Sequence, residues 1–484
     1  MKSKELKDGI ANLRERKNFF EFDGFLVERI LKVNLWNCPE AEAENVRVEA
    51  YRKFVKQIGE NQVAALQTMQ KWFGIHGKSI PTREQIFEIG FALQLSKEEV
   101  SEYLKKGVKE PDFQVNDYRE VIIMYGLEHR MTYEETLDMI DEFQTRLSWD
   151  IEYLHHNHTN DLMKNYDINC HLNREDFLQW MCQYAEEFKG YSKTVLDYFK
   201  LLKREILCEI KEDAQRQLEN YLGQTTFFHW EQKRHYSEKK RYKTIPQYLS
   251  SKSVREDGAV SEQLSQTILE LLEMTQISVE SNQELLAELY ANLNHQYRNY
   301  KTNNKKDEKK KRVPMDVNLM NDKYLSELLN ISINKEKQMR LSILKSQIQT
   351  LEPEKGCPSN VLEVAREYGC PKERKTNSQV MEWLGQKVKE QTRRCHFIKR
   401  KDLLPLLLCT AQKRYQKRIH QREEYQAEEA KKAFFELANM TLSSCNMELL
   451  DPVHYEFDAV LCLCFLPEAG CSLSDVLEAI VDGD

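Results

Sequence analysis

The stretch Gln85-Ile86-Phe87-Glu88-Ile89-Gly90-Phe91-Ala92-Leu93-Gln94-Leu95-Ser96-Lys97-Glu98-Glu99-Val100, continuing through Tyr103-Leu104 to Gly107, decides the fold class. Ile86, Phe87, Ile89, Gly90 and Leu93 recur at the three- and four-residue intervals that put side chains on one face of a helix. Gln94-Leu95 reads as a tight turn, and Ser96 as the cap of a second helix carrying Val100, Tyr103 and Leu104. Gly107 is placed to end that helix as a left-handed C-cap. A small residue (Gly90) where two helices touch, a turn four residues on, and β-branched Val100 six after that give the spacing of a helix-turn-helix.

The same signs extend outward in both directions. Helix starts repeat one device, a Ser or Thr followed three residues later by an acid or amide: Thr82…Gln85, Ser96…Glu99, Thr132…Glu135, Ser281…Glu284 and Ser472…Asp475. The hydroxyl can accept from an orphan N–H of the first turn while the later side chain reaches back. The 484 residues include only 16 Gly and 11 Pro, both below half of average usage. That scarcity excludes a many-stranded sandwich, a barrel or a glycine-rich nucleotide-binding enzyme. With 41 % hydrophobic residues the chain can build cores and is not disordered as a whole. The expectation is an all-α protein of several helical bundles joined by charged linkers, with helix above roughly 65 % of residues, about twice the usual share.

Ser250 to Gly258 and Lys301 to Pro314 lack apolar spacing and read as exposed linkers. They mark an N-terminal bundle over 1–150, holding a module at 82–140, then a helical segment at 151–249. A two-helix segment at 259–300 and a C-terminal helical domain at 315–484 complete the division. The expected module core is Ile86, Phe87, Ile89, Leu93, Val100, Leu104, Ile122, Ile123, Leu127 and Leu137. The two ends are also alike. Arg119-Glu120-Val121-Ile122-Ile123-Met124-Tyr125 has the character of Phe457-Asp458-Ala459-Val460-Leu461-Cys462-Leu463, and a capped helix follows each, at Thr132 and Ser472. A duplication predicts related bundles at the two ends.

From Pro81-Thr82-Arg83-Glu84 through Leu93-Gln94-Leu95-Ser96-Lys97-Glu98-Glu99 to Tyr118-Arg119-Glu120-Val121-Ile122-Ile123, the chain resembles a helical module of clostridial proteins. That module sits beside kinase or macro domains and has been likened to repressor-type helix-turn-helix and to death-like domains. The resemblance implies an adaptor or signalling role in stress response or defence, and it extends less closely to the C-terminal end of the chain. No kinase or macro signature accompanies it here.

Charge argues against DNA reading by this module, because Glu98, Glu99 and Glu102 occupy the exposed start of the second helix. A second such pattern at Tyr324–Ser332, followed by Lys335, Lys337 and Arg340, is less hostile. The chain as a whole is net −7. Cations cluster at Lys233–Lys243 and along Arg393, Arg394, Lys399, Arg400, Lys413, Arg414, Lys417 and Arg418. In the latter run Lys413/Lys417 and Arg414/Arg418 are four apart, so a helix stacks them into a ridge able to track phosphates. The bland reading is a solvated face balanced by Glu423, Glu424, Glu428 and Glu429.

Gly74-Ile75-His76-Gly77-Lys78-Ser79 ends like a phosphate-binding loop, yet Trp72 stands where the first glycine belongs and Pro81 interrupts the required helix. His155, His156 and His158 with Cys170-His171, and the scatter Cys357, Cys370, Cys395-His396, lack the paired spacing of a zinc site. No apolar region follows Met1-Lys2-Ser3-Lys4-Glu5, and the apolar run Leu403 to Cys409 is far short of the roughly 18 residues that span a bilayer. Twelve irregularly spaced cysteines read as reduced core thiols. Together these features point to a cytoplasmic regulatory or adaptor protein with protein partners, no cofactor, no metal and no membrane contact. A nucleic-acid-binding regulator using the 393–422 ridge is the alternative, and a hydrolase whose site only folding assembles is the third class.

Overall fold

The computed structural model describes residues 4–15, 19, 21–61, 63–154, 159–232, 238–251, 260–290, 320–419, 424–467 and 469–482. The chain is 70 % helical, with 23 α-helices and no strand among the described residues. One isolated antiparallel bridge joins Gly356 and Thr376. The His155–His158 run, the side chains of 233–241 and the expected linkers at 252–258 and 301–314 lie outside the described residues.

Four apolar clusters organise the helices. α1 (Lys4–Glu15) opens the chain but joins the C-terminal cluster. The N-terminal cluster gathers α2 (Phe22–Leu31), α3 (Glu40–Ile58), α4 (Leu66–Trp72), α5 (Arg83–Ala92), α6 (Lys97–Glu102), α7 (Tyr118–Glu128), α8 (Tyr133–Arg146), α9 (Thr159–Asn169) and α10 (Arg174–Gln183). The 31-residue α11 (Lys193–Gly223) is a strut. Its far end packs with α12 (Phe227–Gln232), α13 (Glu238–Leu249) and α14 (Glu262–Thr275) in a small cluster. Its near end lies in the C-terminal cluster with α15 (Gln283–Tyr290) and α16 (Asp322–Leu329). α17 (Ile331–Gln349), α18 (Ser359–Glu367) and α19 (Asn377–Thr392) form the fourth cluster, and Met339 and Ile343 of α17 reach across into the N-terminal one. α20 (Arg400–Ile419), α21 (Ala427–Ser444), α22 (Glu456–Leu463) and α23 (Leu473–Asp482) complete the C-terminal cluster.

The local signals place most helix ends. Thr82, Ser96 and Thr132 each form a full capping box, and Ser472 and Asp475 exchange the same pair of hydrogen bonds. α15 instead starts at Gln283, with the Asn282 carbonyl accepting from the Leu286 N–H, so Ser281 sits one residue outside. Gly90 does mark a helix contact, since a Cβ there would lie 2.6 Å from Val100 Cγ2. Gly107 is not a left-handed cap. The helix closes in a π-turn over Tyr103–Gly107 and the left-handed residue is Lys109, φ 57°. Gly107 answers a packing need, because a Cβ there would lie 3.1 Å from Phe25 Cε1. Of the expected core, Leu93 and Leu137 are only half-buried and the other eight are buried.

Candidate interaction site

Two buried arginines organise the two ends of the chain in the same way. Arg83 is the first residue of α5. Its guanidinium donates to both carboxylate oxygens of Glu120, at 2.8 and 2.7 Å, and to the carbonyls of Pro111 and Asp112. Glu120 is the third residue of α7 and also accepts the Gln114 N–H at 2.6 Å. Arg400 is likewise the first residue of α20. It donates to both oxygens of Asp458, at 2.8 and 2.5 Å, and to the carbonyls of Glu448 and Leu449. Asp458 is the third residue of α22 and accepts the Asp451 N–H at 2.7 Å. Each bidentate pair satisfies a buried charge and fixes a helix start and an irregular loop together.

The backbone repeats the correspondence. Lys109 and Asn446 both take left-handed φ, 57° and 52°, after the second helix of their module. Arg130 and Gly470, 51° and 69°, do so two residues before the cap of the last helix. The third residues of α5 and α20 both reach back to the N-cap N–H: Gln85 to Thr82 at 2.9 Å, Asp402 to Lys399 at 2.8 Å. Thus α5–α6–α7–α8 corresponds to α20–α21–α22–α23, with Glu120 matched to Asp458.

These two modules touch through their clamp loops. The Asp112 N–H donates to the Asn446 carbonyl at 3.2 Å. Glu110 pairs with Lys399 and lies 3.7 Å from Arg83, so it links one clamp to the residue before the other. The Lys109 ammonium sits 5.0 Å over the Tyr455 ring. α17 ties the seam from behind, where Lys335 meets Asp117 at 3.0 Å, both buried. Burial disfavours the Lys335 charge, yet Asp117 outweighs it and holds this lysine above its ordinary pKa. A cleft of about 1390 Å³ runs along the seam. Arg83, Lys335, Lys399 and Arg400 line it and are already paired, whereas Arg119 faces it with no carboxylate at ion-pair distance among the described residues. Asp402 is buried beside this cleft, and burial pushes its carboxyl up to about 6 against hydrogen bonds from the Lys399 N–H and Tyr324.

The eight cations of the expected ridge do not form one surface. Arg393 and Arg394 stay exposed at the end of α19. Lys399 and Arg400 belong to the seam just described. The remaining four run along α20, where α11 presents Glu205, Glu209, Glu212 and Asp213 to Lys413, Arg414 and Lys417. Arg414 takes Glu205 in two bonds of 2.5 and 2.7 Å. Lys417 bridges Glu209 and Glu212 at 2.6 and 2.8 Å, and Lys413 contacts Glu288 at 2.8 Å and Asp213 at 3.5 Å. Arg418 lies 3.5 Å from Glu429. The ridge is a helix–helix seam with its counter-charges built in.

The other motifs find plain roles. Lys78 pairs with Glu21 and lies 3.3 Å from Asp23. Cys170, Cys357 and Cys370 are buried, and His396 contacts Glu327 at 2.6 Å. Among the described residues no group of three or more His, Cys, Asp or Glu is arranged to hold a metal. All twelve cysteines are free thiols. No helix among the described residues is long and apolar enough to cross a membrane. The comparisons with known proteins match nothing: no protein-family model, no curated protein and no solved structure is similar to this chain.

Proposed function

We propose that the chain is a non-enzymatic regulatory or adaptor protein that acts through helical protein-interaction modules in the cytoplasm. The likeness of 81–123 to the clostridial module adds bacterial stress or defence signalling as its setting. The twin clamp carries this reading. Arg83 with Glu120 and Arg400 with Asp458 each fix the helices and loop of one four-helix module, and the two clamp loops meet through Asp112–Asn446 and Glu110–Lys399. A scaffold of that kind offers helix faces to partners. Nucleic-acid regulation draws less support, because Lys413, Arg414 and Lys417 of α20 meet α11 carboxylates, and Glu98 and Glu99 stay exposed at the start of the second helix of the better helix-turn-helix while Glu102 pairs with Arg29 and Lys106.

The test is capture of partners by the purified full-length chain from the source organism's lysate, with and without nuclease. Protein captured in stoichiometric amount and unaffected by nuclease is the expected result. Capture that disappears with nuclease would transfer the assignment to the nucleic-acid reading.

A further inference from the structure

The cleft along the seam is built from equivalent positions of the two modules. With Arg83 matched to Arg400, Glu84 matches Lys401 and Phe87 matches Leu404, and all six line it. With Glu120 matched to Asp458, Arg119 matches Phe457, and both of these line it too. α17 adds Lys335 and Lys345. Ligand sites favour such junctions between folded units, and the cleft's volume of about 1390 Å³ exceeds the roughly 300–1,000 Å³ of most small-molecule sites.

Several charges on its walls are spent in pairs. Arg83 meets Glu120, Lys335 meets Asp117, Lys399 meets Glu110 and Lys78 meets Glu21. The remainder is mainly positive. Lys71, Arg119, Lys323, Lys345 and Lys401 line the cleft with no carboxylate at ion-pair distance among the described residues, against Glu84, Asp141 and Glu456 with no cation there. Arg119 is the most informative of them. Its side chain is exposed and makes no hydrogen bond among the described residues, yet protein walls the opening it faces. Burial disfavours its charge, and Tyr118, Asp117, Tyr133 and Glu84 more than offset that, so its pKa stands above the ordinary arginine value. Its backbone is fixed as well. The Arg119 N–H donates to Asp117 at 3.0 Å in the cap of α7, and Glu120 beside it is clamped by Arg83. A charged guanidinium with unused donors on a fixed helix start is a fork suited to an oxyanion.

We propose that this cleft binds a small molecule carrying several phosphate groups, with Arg119 taking one phosphate and Lys345 and Lys401 serving others. The unpaired cations come from α4, α7, α16, α17 and α20, so a single small monoanion cannot meet them. A chain of phosphates, charged at each unit, can. Arg119 belongs to one module and Lys401 to the other, so the bound ligand spans the seam and stabilises the modules in their present arrangement. Half-buried Tyr133, Tyr324, Phe397 and Phe457 line the same walls and offer ring surface to the organic part of such a phosphate. This goes beyond the adaptor reading, which needs no ligand.

The test is calorimetric titration of the full-length chain with ATP, inorganic tripolyphosphate and citrate at about 50 mM salt, where screening is weaker than at physiological strength. ATP and tripolyphosphate should both bind with Kd below about 1 mM. Tighter binding of ATP assigns a nucleoside polyphosphate, and equal binding an inorganic chain. Arg119→Gln removes the fork and should weaken both by about tenfold. Lys401→Gln should weaken them by about threefold, and Glu84→Gln, at the equivalent position of the other module, should strengthen them by about as much because it takes an acid off the wall. No binding of either phosphate, or unchanged affinity in Arg119→Gln, overturns the proposal. Indifference to Lys401→Gln takes the second module out of the site and overturns the bridge. Citrate binding more tightly than both phosphates, or Arg119-dependent displacement of them by an RNA oligonucleotide, would make the ligand a carboxylate or a nucleic acid and overturn the class assigned here. If Arg119→Gln loses helix, hydrogen exchange on wild type decides. Saturating tripolyphosphate should slow amides in the first turns of both α7 and α20 by about threefold or more, and protection confined to one module overturns the proposal.

Discussion

The two modules share a clamp and the turns around it but differ in the length of their first two helices. In the N-terminal module α5 has 10 residues and α6 stops after 6 in a π-turn; in the C-terminal module α20 has 20 and α21 has 18. The clamp explains why both work. Arg83 and Arg400 fix two helix starts and the loop between them, so the far ends of the helices are free to lengthen without disturbing the joint. The extra turns of α20 are the ones that carry Lys413, Arg414 and Lys417 onto α11. One joint thus serves a compact bundle at one end and a long strut at the other.

The most severe way to break that correspondence is to remove one clamp arginine. Arg83→Met leaves the Glu120 carboxylate buried without its partner, and Arg400→Met does the same to Asp458. Breaking a buried pair typically costs about 3–5 kcal/mol. Denaturant unfolding should show losses of that size and of similar magnitude for the two variants. A loss below about 1 kcal/mol in either would show that the two clamps are not equivalent.

A second difference is sharpened by pH. At the third position of the first helix the N-terminal module has Gln85, which does not titrate, and the C-terminal module has Asp402, whose pKa burial raises to about 6. The unfolded aspartate sits near 3.9. Between these values the native state binds the extra proton, so stability from this group is complete below about pH 4 and falls as pH rises through 6. A pKa displaced this far corresponds to about 3 kcal/mol. Asp402→Asn keeps an oxygen for the Lys399 N–H and should flatten this part of the profile. Parallel stability curves for wild type and variant between pH 4 and 7 would refute the raised pKa.

Much of this fold is legible in residue spacing, because capping and amphipathic periodicity are local. Thr82, Ser96, Thr132 and Gly90 announce their roles within a few residues. The likeness of 119–125 to 457–463 also falls where the equivalent helices lie. The clamps are not legible. Arg83 and Glu120 are 37 residues apart and Arg400 and Asp458 58 apart, and the sequence neighbours of neither arginine set it apart from a surface one. The available signal is their common place, a helix-opening arginine ahead of an acid at the third position of a later helix in both segments. The α20 ridge escapes a local reading for the same reason. Four-residue spacing shows that cations stack but says nothing about α11, whose Glu205 lies 209 residues from the Arg414 it meets.

Leu93 and its neighbours test how far the module's core extends. Spacing assigns Leu93 to the core, and on a fully buried site Leu93→Ala would cost about 2–5 kcal/mol. Its half-buried position at the end of α5 lowers the expectation to roughly 1 kcal/mol, from the smaller apolar area removed from water. Ile122→Ala, at a fully buried site of α7, should fall in the larger range. Equal effects at the two sites would place the core boundary elsewhere.

The smallest effect belongs to the exposed cations of α20, where Arg414→Glu with Arg418→Glu also separates the functional readings. Arg414 is 53 % exposed and Arg418 61 %, so solvent screens both pairs and each contributes no more than about 1 kcal/mol. Reversal sets new carboxylates against Glu205 and Glu429. The loss should therefore exceed that of Arg414→Ala with Arg418→Ala, and the gap should shrink as added salt shortens the Debye length from about 8–10 Å near physiological ionic strength. If the same residues track phosphates, the purified chain should bind DNA or RNA below micromolar Kd. That binding should fall steeply between roughly 50 and 200 mM salt and vanish in the double Glu variant. The Glu205, Glu209 and Glu212 carboxylates already occupy the positions that phosphates would need, so the expected outcome is a small, salt-screened loss of stability and no such binding. Sub-micromolar, salt-sensitive nucleic-acid binding lost on reversal would mean that α11 yields its carboxylates to a competing polyanion, and would reverse the order of the two readings.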